Sequence, residues 1–298
     1  MDAQTDTSDT DTAPRPDRRG AFRLLFFALA VIGAGNTMLI AAVLPPLTRD
    51  LGLPDWMAGA IFSLSAAMWV VMSPFWGRKS NSWGRRKVAA LGLAGYSASM
   101  LLFGVSGVLA LTGVITIPLV IFAMLLASRS LFGLFGSGTN PAAQAYVADR
   151  TDPNNRTAEI ASVTAGHSFG TVAGPAFAAA LVAVFGLLTP VFLTFVVAAV
   201  MSWLILTRLP EDTPPKRAVG GVRIARKGLW RDRRVIAYLV FATALSLVTG
   251  VLVQTFVFAV MDKMQVQGAQ AAQFTGPAFM IGAMATLLAQ LVLIPRLD

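Results

Sequence analysis

The segment Pro74–Val88, PFWGRKSNSWGRRKV, separates two long apolar segments of the chain. Its five basic side chains are Arg78, Lys79, Arg85, Arg86 and Lys87. Each flanking segment holds the roughly 20 apolar residues that a helix needs to cross a bilayer. A short basic segment between two spans remains on the cytoplasmic side of a membrane. The sequence therefore predicts a polytopic membrane protein whose orientation is set by this segment.

Apolar segments of the same kind recur along the whole chain. The residues are 55% hydrophobic and 13% charged, whereas a soluble domain carries roughly 25% charged residues. Only helices or closed barrels satisfy the backbone inside a bilayer, and these segments lack the alternation of strands. We therefore predict an all-α membrane protein with eight spans, at about 22–44, 56–76, 88–110, 115–147, 157–184, 187–207, 235–260 and 272–294.

The distribution of basic residues predicts the orientation of these spans. With a cytoplasmic N-terminus, 21 of the 24 Lys and Arg residues lie inside, only Arg49 and Lys263 lie outside, and Arg129 lies within a span. This asymmetry explains the net charge of +9 without a nucleic-acid partner. We expect a multi-pass protein of the cell (inner) membrane.

Two polar segments divide the chain. Residues 1–21 are rich in Thr and Asp and are predicted to be a disordered cytoplasmic tail. Residues 208–234 combine Pro, Gly and basic side chains and are predicted to link residues 22–207, with six spans, to residues 235–298, with two.

The residue types present exclude several classes of chemistry. The chain has no cysteine and a single histidine, so thiol catalysis and a multi-Cys or multi-His metal site are excluded, and no cofactor is expected. It has no phosphate-binding loop of an ATP-driven pump and no Ser–His–acid set within the spans. The sequence therefore does not predict an enzyme.

Arg129 is the basic residue that lies in the middle of a span. An arginine at this depth costs at least about 2.5 kcal/mol, so it usually faces a cavity and has a partner. The alternative is an arginine that bonds to backbone carbonyls and holds helices 1 and 4 together. None of the 15 carboxylates lies in the middle of a span, so no counter-ion is evident. An anionic group on a substrate could take that role.

Other polar residues lie at similar depth. His167 in span 5 could carry protons near neutral pH, or it could simply form a hydrogen bond in the helix packing. Asn36 in span 1 and Gln254 in span 7 are candidates to line a cavity, or to bond helices together. Thr37, Ser246 and Thr249 belong to the same group.

The basic segment contains Gly77, Asn81, Gly84, Arg85 and Arg86 in an order that resembles G-x-x-x-D-R-x-G-R-R/K. That motif lies between helices 2 and 3 of major facilitator superfamily (MFS) transporters, where it latches the cytoplasmic side. Asn81 stands where the family has Asp. The resemblance implies that Arg85 pairs with Asp149. Gly77 and Gly84 are expected to allow tight turns at the two ends of a loop.

Span 5 contains Gly166, Gly170, Gly174 and Pro175. Glycines four residues apart share one helix face, and proline removes a backbone hydrogen bond and kinks a helix. The segment resembles the G-x-x-x-G-P-x-x-G-G motif of MFS antiporters, with Ala178 and Ala179 in place of the final pair. The resemblance implies a kinked face where two halves of a transporter seal and rock. A generic small-residue packing face is the alternative.

In span 4, Arg129 followed by Gly133 resembles the R-x-x-x-G pattern of MFS helix 4, which the family links to proton transfer or substrate binding. These resemblances imply an MFS bundle with a complete N-terminal six-helix half and about two helices of the second half. We therefore expect a C-terminally truncated chain, with a genuine eight-helix protein as the alternative.

The resemblance is to the drug/metabolite:proton antiporter branch of the MFS. It implies a secondary transporter, not an enzyme, that exports small molecules by alternating access in exchange for protons, in the manner of multidrug-resistance efflux. Such a protein is expected to be a monomer when full length. The alternatives are an importer or uniporter without proton coupling, and a non-transporting membrane protein.

Overall fold

The computed structural model describes residues 18–211, 233–266 and 269–292 of the protein, and the elements in those ranges are all helical. This confirms the predicted fold class. The α-helices are α1 (Arg18–Met38), α2 (Leu44–Asp50), α3 (Asp55–Trp83), α4 (Arg85–Leu111), α5 (Pro118–Phe135), α6 (Thr139–Ala148), α7 (Arg156–Phe185), α8 (Thr189–Arg208), α9 (Arg233–Met264) and α10 (Ala269–Val292).

Seven helical segments in the described part of the chain are long and apolar enough to cross a membrane. They correspond to the first seven predicted spans, and α10 lies at the predicted position of the eighth. The predicted tail falls outside the described residues up to position 17, as does the linker from 212 to 232.

The first span contains a change of helical geometry. A π turn, Leu39–Val43, joins α1 to α2, and the backbone N–H of Leu44 bonds to the carbonyl of Leu39 five residues earlier. Two prolines, Pro45 and Pro46, follow directly. Because proline has no N–H and its ring clashes with the carbonyl four residues back, a regular α-helix cannot continue through this pair. The π turn keeps the span helical across them.

The basic segment is helical, contrary to the predicted loop. Helix α3 continues to Trp83 and α4 begins at Arg85, so Gly84 alone separates the two helices. Gly84 has a φ of 94°, a value that favours glycine because it has no Cβ. Gly77 lies within α3 and makes no turn. Only one of the two predicted glycine turns is therefore present.

The hydrophobic core lies among the helices of the first six spans, α1 to α8. Its largest fully buried side chains include Tyr96, Phe103, Tyr146, Leu25 and Leu29. Span 4 crosses this core as α5 and α6, joined by a single 3-10 turn, Gly136–Gly138. We call the end of the bundle that carries Arg85 and Arg86 the basic end. The end that carries Arg49 is the opposite end.

Candidate functional site

A cavity of about 660 Å³ lies between the first six spans and α9. Such a volume is within the range of small-molecule sites. Most of its wall is apolar, and three aromatic side chains, Phe62, Trp69 and Phe132, contribute to it. The polar side chains in its wall are Asn36, Ser63, Ser65, Arg129, His167, Ser246 and Thr255.

Arg129 lies in this wall and is only 1% exposed. Its Nη2 donates a hydrogen bond of 2.7 Å to Oδ1 of Asn36. Its guanidinium carbon lies 5.2 Å from the ring centroid of Phe62 and 4.6 Å from that of Phe132. Aromatic faces attract a cation, and the attraction strengthens when both groups are desolvated. A neutral amide and two rings therefore surround the charge.

The bonding of Arg129 is incomplete. Its Nε and Nη1 are buried and have no hydrogen-bond partner among the described residues. The hydroxyl of Tyr96 is in the same state, and it packs directly against Gly35, the residue before Asn36. Buried donors without partners are uncommon and cost free energy. The region around Arg129 is therefore rich in donors and poor in acceptors.

The expected cavity residues separate into two groups. Asn36, Arg129, His167 and Ser246 line the cavity. Thr37 and Thr249 are not among the described residues that line it, and their hydroxyls bond to the carbonyls of Gly33 at 2.7 Å and Leu245 at 2.9 Å in their own helices. The side chain of Gln254 lies outside the described residues.

The position of Arg129 combines parts of the two interpretations of its sequence context, although its hydrogen bond among the described residues goes to the side-chain amide of Asn36 and not to a backbone carbonyl. It contacts the cavity, and through Asn36 it also joins span 1 to span 4. Gly133, one turn later, packs closely against the backbone carbonyl of Ser65 in α3. The hydroxyl of Ser65 donates to the carbonyl of Arg129 at 2.9 Å. Helix α3 therefore fixes the height of Arg129 in the bundle.

The glycine face of α7 packs against α1 within the first six spans. A Cβ on Gly166, Gly170 or Gly174 would collide with the backbone carbonyl of Phe26, Ala30 or Ala34, respectively. The regular spacing shows two parallel helices in close backbone contact. The end of the same motif faces the second half, since Gly276 of α10 packs against Ala179 and the carbonyl of Pro175. That this face seals and rocks stays a prediction.

At the basic end, Arg85 joins three helices. Its Nε bonds to Oδ2 of Asp149 at 3.1 Å, directly after α6, and its Nη1 donates to the hydroxyl of Ser80 at 2.6 Å. Asn81 lies in the last turn of α3 and is exposed. The structure thus places Arg85 beside Asp149 and leaves Asn81 out of the pair.

Arg86 has a partner that the motif did not indicate. Its Nη2 bonds to Oε2 of Glu211 at 2.6 Å, and its Nη1 donates to the carbonyl of Leu209 at 3.3 Å. Gly84 lets the Glu211 carboxylate come close, since a Cβ at residue 84 would collide with it. The start of α4 is therefore tied to the segment that follows α8.

At the opposite end, Arg49 connects the first six spans to α9. It binds Asp55 in a two-bond fork, with Nε to Oδ1 at 3.0 Å and Nη2 to Oδ2 at 2.7 Å. Its Nη1 bonds to Oδ1 of Asp262 at 2.6 Å, and its guanidinium carbon lies 5.1 Å from the ring centroid of Phe258. This cluster was not predicted from the sequence. The sequence signal for it was Arg49, a basic residue on the outer side, six positions before Asp55.

A second link at this end uses the π turn. In an α-helix the carbonyl of Ala41 would accept from the N–H of residue 45, but Pro45 has none. The hydroxyl of Thr275 in α10 shares its proton between this carbonyl, at 3.2 Å, and the carbonyl of Ala271 in its own helix, at 2.9 Å. The two prolines of span 1 thereby create an acceptor for a helix that follows the linker.

Comparisons with known proteins agree with this architecture. The profile described as Major Facilitator Superfamily matches residues 25–297. Multidrug resistance protein 1 of Bacillus subtilis (strain 168) is 27% identical over 214 residues, which are 71% of this chain and 51% of that protein. The class D tetracycline resistance protein of Salmonella ordonez is 33% identical over 183 residues, which are 60% of this chain and 41% of that protein.

Among solved structures, a bacterial homologue of the human lysosomal transporter Spinster, in an inward-facing and occupied conformation, shares the fold. The two structures superpose with a TM-score of 0.66 at 18% sequence identity. The superposition covers 95% of this chain and 63% of the other chain. The chain spans about half the length of the curated relatives that it matches. Because the family profile covers nearly the whole sequence, the chain belongs to the Major Facilitator Superfamily, a family of membrane transporters and not of enzymes.

Proposed function

We propose that the protein is a secondary transporter that exports small molecules from the cell by alternating access, in exchange for protons. The observation that carries this proposal is the cavity, which lies between the first six spans and α9 and has Arg129 in its wall. Transporters of this kind bind substrate near the middle of the membrane, between their two halves. The names of the bacterial relatives, which refer to drug and tetracycline resistance, support export as the direction.

Alternating access requires contacts that close one side of the cavity at a time. The links of Arg49 to Asp262 and of Thr275 to Ala41 join both sides of the cavity at the opposite end. These links would have to break for that end to open. The excess of basic residues at the basic end supports a cytoplasmic location for that end. Arg85 and Asp149 would act there as the inner latch, weakened by the neutral Asn81.

Exchange for protons requires a group that titrates. No carboxylate is among the described residues that line the cavity, whereas His167 lies there, with its imidazole near the backbone of Leu29. We therefore assign the proton-carrying role to His167. The missing carboxylate equally favours a second candidate, an importer or uniporter without proton coupling. Proton-coupled carriers commonly keep an acidic residue within the membrane.

Transport in proteoliposomes with an imposed proton gradient tests the proposal. We expect addition of a transported drug to release part of the gradient, and His167→Gln to prevent this release while slower downhill flux continues. Arg156→Gln, an exposed change at the start of α7, is the control. Flux that leaves the gradient unchanged would support the uniporter. The absence of flux for a panel of drugs would contradict transport by this chain.

A further inference from the structure

We infer that the cavity binds small molecules that carry an anionic group, and that Arg129 holds this group beside an apolar or aromatic body. The inference rests on the proposed function, because it takes the cavity as the transport site. It adds the charge class of the substrate. Three independent features of the cavity support it: its net charge, its unused hydrogen-bond donors and the shape of its wall.

The charge of the cavity comes from one residue. Among the described residues that line it, Arg129 alone carries a permanent charge, and none is acidic. A buried charge is stable only when it is paired or well hydrogen-bonded. The amide of Asn36 accepts one bond from Arg129 but carries no negative charge. An anionic ligand would supply the missing counter-ion, and a cationic ligand would be repelled.

The unused donors point to the same class. A guanidinium has five N–H groups in a planar fork, which matches the two oxygens of a carboxylate. In Arg129 the N–H groups on Nε and Nη1 have no acceptor among the described residues, and Asn36 occupies Nη2. Phe62 and Phe132 stack near the guanidinium. A carboxylate fork uses Nη2 together with Nε or Nη1, and Nη2 keeps one N–H besides the one that Asn36 accepts, so one such edge has no acceptor among the described residues. Nε and Nη1 are closed to the cavity in this conformation, so a carboxylate would reach this edge only after the wall around Arg129 rearranges.

The rest of the cavity wall suits the apolar part of a ligand. Phe62, Trp69 and Phe132 lie in the wall, and the ring centroids of Trp69 and Phe132 are 5.0 Å apart. Aliphatic side chains, among them Ile32, Ile40 and Val251, complete the apolar part of the wall. A cavity of about 660 Å³ accommodates one or two fused rings with a short acidic substituent. Naphthalene-2-carboxylate is a probe with these properties.

Binding to the purified protein tests the inference without requiring transport. Three probes of equal shape are titrated calorimetrically at pH 7.5: naphthalene-2-carboxylate, its neutral amide and 2-naphthylmethylammonium. We expect the carboxylate to bind at least about tenfold more tightly than the other two, which is typical of a hydrogen bond to a charged group. Arg129→Gln should remove this preference. The matched control is Arg156→Gln at an exposed site, which should keep it.

A second variant keeps the test decisive if Arg129→Gln does not fold. Asn36→Asp gives Arg129 a counter-ion within the protein, almost without a change of shape, and should also remove the preference. Equal binding of the carboxylate and the amide by the unmodified protein would overturn the inference, as would a preference that survives both variants. If the inference fails but the proton gradient still drives drug flux, the proposed function stands with another class of substrate.

Discussion

At the residue scale, the pair Arg129 and Asn36 is the centre of the candidate site. The sequence indicates that Arg129 lies in the middle of a span, but the partner lies 93 positions away in another span. The bond satisfies one nitrogen and leaves Nε and Nη1 without partners. The site therefore contains a charge that the protein alone does not neutralise, and Asn36 is its sole side-chain acceptor among the described residues.

Asn36→Leu should lower the free energy of unfolding by about 1–3 kcal/mol, because it removes the acceptor and leaves the buried guanidinium without a hydrogen bond to any described residue. Thermal unfolding in detergent measures the effect. Asn81→Leu makes the same change at an exposed position without a side-chain hydrogen bond among the described residues, and should change stability by less than about 0.5 kcal/mol. Equal effects of the two changes would contradict the role given to Asn36.

At the element scale, the close approach of α1 and α7 organises the first six spans. Gly166, Gly170 and Gly174 face Phe26, Ala30 and Ala34 at intervals of one helical turn, so backbones meet without intervening side chains. In a membrane, where apolar side chains gain little by leaving lipid, such close packing holds helices together. The lining residues Asn36 and His167 belong to these two helices, so their packing sets one wall of the cavity.

Gly170→Ala should destabilise the protein by about 1–3 kcal/mol, because a Cβ there would overlap with the backbone of Ala30 and force the helices apart. Gly59→Ala is the matched control, since nothing lies within 4 Å of its Cβ position in α3. That change should be neutral or stabilise the helix by up to about 1 kcal/mol. Unfolding temperatures of the two variants give the comparison, and a stable Gly170→Ala variant would contradict the packing argument.

At the scale of the whole molecule, the contacts at the opposite end connect the first six spans to the helices after the linker. Arg49 contributes to both sides of this connection, through its fork with Asp55 and its single bond to Asp262. Asp262 has a side chain that is 69% exposed, so solvent keeps the bond weak. A weak bond at this position is what the alternating access that we propose would require.

Asp262→Asn should open the opposite end more often. The chain has no cysteine, so a single cysteine at Thr255 in the cavity wall reports access without background. Loss of an exposed ion pair is worth up to about 1 kcal/mol, so labelling by an impermeant maleimide added from that side should rise about two- to fivefold. Asp55→Asn removes only the two bonds between Arg49 and Asp55, which lie within the first six spans, and should leave the rate of maleimide labelling unchanged. A similar rise in both variants would contradict the role of Asp262.

Much of this protein follows from its sequence alone. The length and apolarity of the spans fix the all-α fold, because a bilayer offers no other partner for backbone groups. The same argument places Arg129 in the middle of span 4 and identifies the small face of α7. The order of residues around Gly84 and Gly174 points to the family. These features are local, so residues close in the chain are sufficient to reveal them.

Only the tertiary structure decides which residues meet. It pairs Arg129 with Asn36, Arg49 with Asp262 and Arg86 with Glu211, and each pair joins segments far apart in the chain. It also shows that the glycines of α7 face α1, and that α3 runs as a helix through the predicted loop to Trp83. Helix periodicity shows which residues share a face but not which helix that face meets. The neighbour is set by how all the spans pack together.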